Sequence, residues 1–108
     1  MPFLTWDDAL AAQAQAWSDA CVFEHSRADT YGENLAIGRS LETCADAVDL
    51  WMTEPLDAGL NHATQVVWID TTSVGCGWSP RCYMVTCVYT PPGNMVGAEW
   101  QGGDRNQW

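Results

Sequence analysis

Basic charge is scarce in this chain: four lysines and arginines stand against fourteen aspartates and glutamates, for a formal net charge of −10 over 108 residues. Nucleic acids and anionic membrane surfaces are held by cationic side chains, so this balance disfavours both as partners; it speaks to solubility, not to fold. No apolar run approaches the roughly 18 residues of a membrane-spanning helix, so no transmembrane segment is expected. The opening MPFLTW lacks the basic segment and apolar core of a secretory signal, so an exported protein would have lost its signal or carry it outside this chain. No C-x-x-C pair exists, which argues against a zinc ribbon or a thioredoxin-type site. G-x-S-x-G and H-E-x-x-H are absent as well, and with them the common signatures of serine and zinc hydrolases. Without a repeat, a low-complexity tract or a linker, residues 1–108 read as a single domain.

What is present suits a small stapled fold. Seven tryptophans and a 47% hydrophobic content exclude a disordered chain. Five cysteines, Cys21, Cys44, Cys76, Cys82 and Cys87, suggest a secreted disulfide framework with one thiol left over. TWDDALAAQAQAWSDACVF predicts a helix capped at Thr5, with Leu10, Ala14, Trp17 and Cys21 as its apolar stripe, ending near Glu24. A polar, turn-rich segment containing the extended piece ENLAIG follows. Ser40 then offers a cap for a second helix, LETCADAVDLWMTE, with Leu41, Cys44, Val48 and Trp51 on its stripe and Pro55 closing it. TQVVWID, VGCGWS and YMVTCVYT read as three antiparallel strands, PPGN stops the last, and the tail from Gly97 has no periodicity.

Four ionisable residues merit weighing for chemistry: His25, Glu33, Glu54 and His62. Taken singly, each has a plain structural reading. His25 would cap the first helix, Glu33 would be a loop carboxylate, Glu54 a solvated helix end and His62 a strand-entry residue.

Their context alters those odds. The segments CVFEHS at 21–26, YGENLAIG at 31–38, AVDLWMTE at 47–54, NHATQVVW at 61–68, GCG at 75–77 and CVYTPPGN at 87–94 resemble the CAP superfamily of cysteine-rich secretory, antigen 5 and pathogenesis-related 1 proteins, with the fungal pathogenesis-related 1 type close to it. The resemblance implies an α+β fold, a three-layer α-β-α sandwich with a small antiparallel sheet, here without the family's first helix. An early start or a truncation would account for that difference. It also implies a central cleft in which His25 and His62 ligate a divalent metal, zinc or magnesium, weakly bound, with Glu33 and Glu54 beside the metal's water. Neutral imidazole suits zinc, and two ligands leave positions for water. The family's disulfides fall on Cys21 with Cys82 and Cys76 with Cys87; the second pair also lies on adjacent predicted strands. Cys44 has no counterpart in the family, and its place on an apolar stripe suggests a buried free thiol.

The resemblance further implies a secreted, extracellular protein that binds a small lipid, a sterol or fatty acid. Only Pro55, Leu56, Asp57, Ala58, Gly59, Leu60 and Asn61 separate Glu54 from His62, where sterol-binding fungal relatives carry a longer aromatic loop. Sterol binding is therefore expected to be weak or lost. Asn61 stands where the family usually has glycine. Two other functions compete: an extracellular interaction module that engages a host or partner protein, and a metal-dependent hydrolase. The second has no supporting constellation beyond Ser26 beside His25, so no enzymatic activity is expected.

Overall fold

The computed structural model describes residues 4–26, 30–57, 59–96 and 99–100. Strand β1 (Thr5–Trp6) leads into helix α1 (Asp8–Ala20), followed by strand β2 (Gly32–Ile37) and helices α2 (Cys44–Trp51) and α3 (His62–Val66). Strands β3 (Ser73–Ser79) and β4 (Met84–Thr90) then form a hairpin, and β5 (Met95–Val96) pairs with β6 (Glu99–Trp100). The main sheet has the order β1-β3-β4-β2. Its β2, β3 and β4 are antiparallel, whereas β1 runs parallel to β3.

Alternation along β4 sorts the core onto two faces. Val85, Cys87 and Tyr89 pack with Cys76, Ala47 and Trp51 under α2, while Val88 packs with Leu10 and Ala14 of α1. The sheet is thus the middle of three layers, as the sequence resemblance implies. Helix α1 lies directly on β3, where glycine is required: a Cβ on Gly75 would run into the backbone of Ala11, and one on Gly77 into that of Gln15. Polar bonds stitch the same contact. The Gln15 amide donates to Trp78 O and accepts from Trp78 N, and Ser18 Oγ donates to Gly77 O at 2.9 Å. The Cys21–Cys82 disulfide ties down the end of α1, and Cys76–Cys87 joins residues directly opposite in the β3–β4 ladder.

Several expected boundaries move. Asp7, not Thr5, caps α1, because Thr5 and Trp6 are drawn into pairing with β3; the Asp7 carboxylate accepts from the amides of Ala9 and Leu10. The helix stops at Ala20, short of Glu24, where Cys21 takes a left-handed conformation (φ 58°). The α2 cap is Thr43 instead of Ser40, in a capping box closed by Asp46, and the helix ends at Trp51 before reaching Pro55. Leu41 stays buried but precedes the helix. Cys44 is half-buried, not sealed in the core, since it occupies the first turn; burial still pushes its thiol pKa up.

The largest difference concerns TQVVWID, expected as a strand. Its first residues belong to α3, because Asn61 and Thr64 form a capping box that satisfies the helix's first amides. Local capping overrides the β preference of Val66 and Val67. The place in the sheet goes to β2, which pairs along its whole length with β4. Most of the tail beyond β5, including residues 101–108, lies outside the described residues.

Candidate functional site

The four ionisable residues form two histidine–glutamate pairs. His25 follows α1 in a short irregular segment, and its Nδ1 lies 2.9 Å from Glu33 Oε1 on β2. The same oxygen accepts from Ser26 N at 2.8 Å, and Oε2 accepts from Ser26 Oγ at 2.6 Å. His25 therefore does not cap α1, and Glu33 is a strand residue that fastens the 25–26 segment. With Nδ1–H given to a carboxylate, the lone pair of the neutral ring resides on Nε2, which is buried and has no hydrogen-bond partner.

The second pair spans the short loop. Glu54 Oε2 lies 2.7 Å from His62 Nδ1, and Oε1 accepts from His62 N at 2.8 Å. Glu54 is thus engaged, not merely solvated, and His62 opens a helix, not a strand. The ring of Trp51 stacks on the His62 imidazole with centroids 5.8 Å apart and planes 10° from parallel. Asn34 Nδ2 donates to the His62 carbonyl and to Tyr89 Oη; Tyr89 is buried, and desolvation drives its phenol pKa far up despite the Asn34 bond. Because Asn34 adjoins Glu33, both pairs are anchored at the beginning of β2. Among the described residues, however, no group of three or more His, Cys, Asp or Glu side chains is placed to hold a metal ion.

Between Glu54 and His62, residues 55–61 close into a loop through a 2.8 Å bond from Asn61 Nδ2 to Pro55 O. Gly59 turns it with φ +99°, and Ala58 lies outside the described residues. Asn61 is the N-cap of α3, its side chain accepting from Thr64 N. Beside the loop lies a cavity of about 260 Å³ lined by Leu56, Thr64, Val67, Trp68 and Ile69. The loop's own residues, 55–61, include none with a flat aromatic face. Trp68, just beyond α3, supplies one. It is the last letter of the NHATQVVW string, but only the α3 turn brings it back against Leu56.

The fold is that of a small α+β sandwich carrying two histidine–glutamate pairs. The profile described as "CAP: Cysteine-rich secretory protein family" matches residues 1–89. The chain is 38% identical over 114 residues to the "Pathogenesis-related protein PR-1 type" of Sambucus nigra, covering 87% of this chain and 68% of that protein. It is 34% identical over 132 residues to "Venom allergen 3" of Solenopsis invicta, covering 91% and 56%. The solved structure titled "Crystal structure of NaASP2 with Zn2+" superposes with a TM-score of 0.75 at 25% identity, over 96% of this chain and 68% of that one. This chain belongs to the CAP family of cysteine-rich secretory proteins. No helix among the described residues is long and apolar enough to cross a membrane.

Proposed function

We propose that this chain is a secreted pathogenesis-related 1-like protein that binds a small lipid, holding sterol only weakly, and that His25 and His62 hold a divalent metal. The cavity beside the 55–61 loop carries the lipid reading. Its lining is apolar, Trp68 offers a flat face, and its volume of about 260 Å³ lies below the roughly 300 to 1,000 Å³ of pockets that engulf a drug-sized ligand. An acyl chain or one edge of a sterol would be covered; a whole sterol body would not. Two disulfides favour an oxidising, extracellular location. The fungal subtype belongs to the same proposal and rests on the motif string, since the relatives named above are a plant and an insect protein.

The donor set fits a metal. At His25 the Glu33 carboxylate on Nδ1 orients the ring and leaves the buried, unpartnered Nε2 as a ligating nitrogen, and at His62 the Glu54 carboxylate orients the ring in the same way. Nitrogen donors suit zinc better than magnesium, and the similar NaASP2 structure is one with Zn2+. Two imidazoles completed by water would bind it weakly. We assign no turnover, because the Ser26 hydroxyl donates to Glu33 and not to His25. A second reading, an interaction module for a host or partner protein, draws on exposed Leu50, Leu56 and Ile69.

Titrating cholesterol and palmitate into the chain, its Trp68→Ala variant and a graft carrying an aromatic loop between Pro55 and Asn61 tests the lipid reading. Palmitate is expected to bind saturably and to weaken in Trp68→Ala, and the graft is expected to raise cholesterol binding. Equal cholesterol binding by chain and graft would show that the loop does not limit the site; no lipid binding at all would leave the interaction reading.

A further inference from the structure

On the α1 side of the sheet a second cavity, of about 410 Å³, is lined by Ala16, Trp17, Tyr31, Val88, Glu33 and Ser26 among others. Its aromatic walls are fixed. Trp17 Nε1 donates to Glu24 O at 2.7 Å, and the Tyr31 hydroxyl accepts from Gln13 Nε2 at 3.2 Å. Glu33 is only 10% exposed, and among the described residues its sole ion-pair partner is His25. Its Oε2 takes a single hydrogen bond, from Ser26, which leaves acceptor capacity on that oxygen. The chain has no lysine at all, and one of its two described arginines, Arg81, is engaged with the Asp19 carbonyl on the far end of α1.

A carboxylate set among two aromatic rings and apolar side chains, in a strongly acidic protein, is the chemistry that recognises organic cations. The ring faces attract positive charge, the carboxylate neutralises it, and the apolar lining covers the rest of the molecule. We propose that this cavity binds an organic ammonium ion with an apolar body, its nitrogen on Glu33 and its body against Trp17 and Tyr31. A neutral isostere would cover the carboxylate without compensating its charge, which is costly. The site is separate from the lipid cavity at Trp68 and does not depend on it.

Calorimetric titration with 2-phenylethylamine and its neutral counterpart 2-phenylethanol, in the presence of a metal chelator, tests the proposal. The amine is expected to bind saturably and the alcohol about tenfold more weakly or worse. Glu33→Gln is expected to weaken the amine by about tenfold as well. Glu33 also fastens the 25–26 segment, so Ala16→Leu, which fills the cavity from exposed positions of α1 without touching that network, decides the matter if Glu33→Gln fails to fold. Ala16→Leu is expected to abolish amine binding, and the exposed Asp70→Asn to leave it unchanged. Amine affinity that survives Ala16→Leu, is matched by the alcohol, or falls in Asp70→Asn as much as in Glu33→Gln would overturn the proposal, the last by revealing diffuse attraction to an acidic surface.

Discussion

The His25–Glu33 and Glu54–His62 pairs share a chemistry and differ in setting. In the first, the side chains are 4% and 10% exposed; in the second, 18% and 31%. The first joins a residue beyond α1 to one on β2, 8 positions apart, and its carboxylate fastens two successive residues, His25 and Ser26. The second bridges a helix end and a helix beginning, and its carboxylate grips both the ring and the backbone amide of His62, under the face of Trp51. The contrast teaches that a histidine–carboxylate bond can serve as a buried fastener in one place and as a half-open clasp in another. Burial, more than partner identity, sets what its loss costs.

The disulfides give the largest expected break in that comparison. Replacing Cys21 and Cys82 by serine should cost about 2–5 kcal/mol in denaturant unfolding, and the same holds for Cys76 and Cys87. The first loss should loosen the His25 segment, four residues from Cys21, while leaving the Glu54 clasp intact; NMR of the two imidazoles reads both. Non-reducing peptide mapping is expected to recover both bridges with Cys44 reduced, and a bridge to Cys44 would contradict the arrangement.

Next come the carboxylates. Glu33→Ala should destabilise by about 2 kcal/mol, because it strands the buried His25 Nδ1–H, and Glu54→Ala by about 1 kcal/mol, because water can reach its partners. Equal losses in equilibrium unfolding would mean that burial is not what separates the pairs. Zinc sharpens the same contrast: calorimetry is expected to show weak binding that disappears in the double variant His25→Ala/His62→Ala and fades on acidification, as protons compete for the ring nitrogens. Undiminished binding in that variant would place the ion on the acidic surface.

The smallest effect lies away from both pairs, at the α2 cap. Backbone amides of Glu42 and Thr43 hold the Asp46 carboxyl below its ordinary pKa. A carboxyl whose folded pKa is depressed stabilises above its unfolded pKa, and that contribution disappears as pH falls through the folded value. Asp46→Asn should therefore flatten the acid limb of the stability curve slightly, as followed by circular dichroism; an unchanged limb would remove the cap from the account.

The amino-acid sequence by itself determined the acidic surface, the amphipathic α1 and the alternating β3–β4 hairpin, because each depends on charge count or on short-range periodicity. Its motif string also carried the family, and with it the disulfide partners now seen at Cys21–Cys82 and Cys76–Cys87. Tertiary structure decided the rest. The β-branched, apolar run TQVVWID favoured a strand, yet the Asn61–Thr64 box and the Glu54 carboxylate at the His62 amide make a helix there, and neither bond belongs to a repeating pattern. The same turn carries Trp68 to Leu56, an aromatic wall that no count of the loop's own residues could include. Which carboxylate meets which imidazole, and how deeply each pair is buried, depends on how β2 docks against β4 and on where α2 ends, because side chains eight residues apart meet only when the packed chain brings them together.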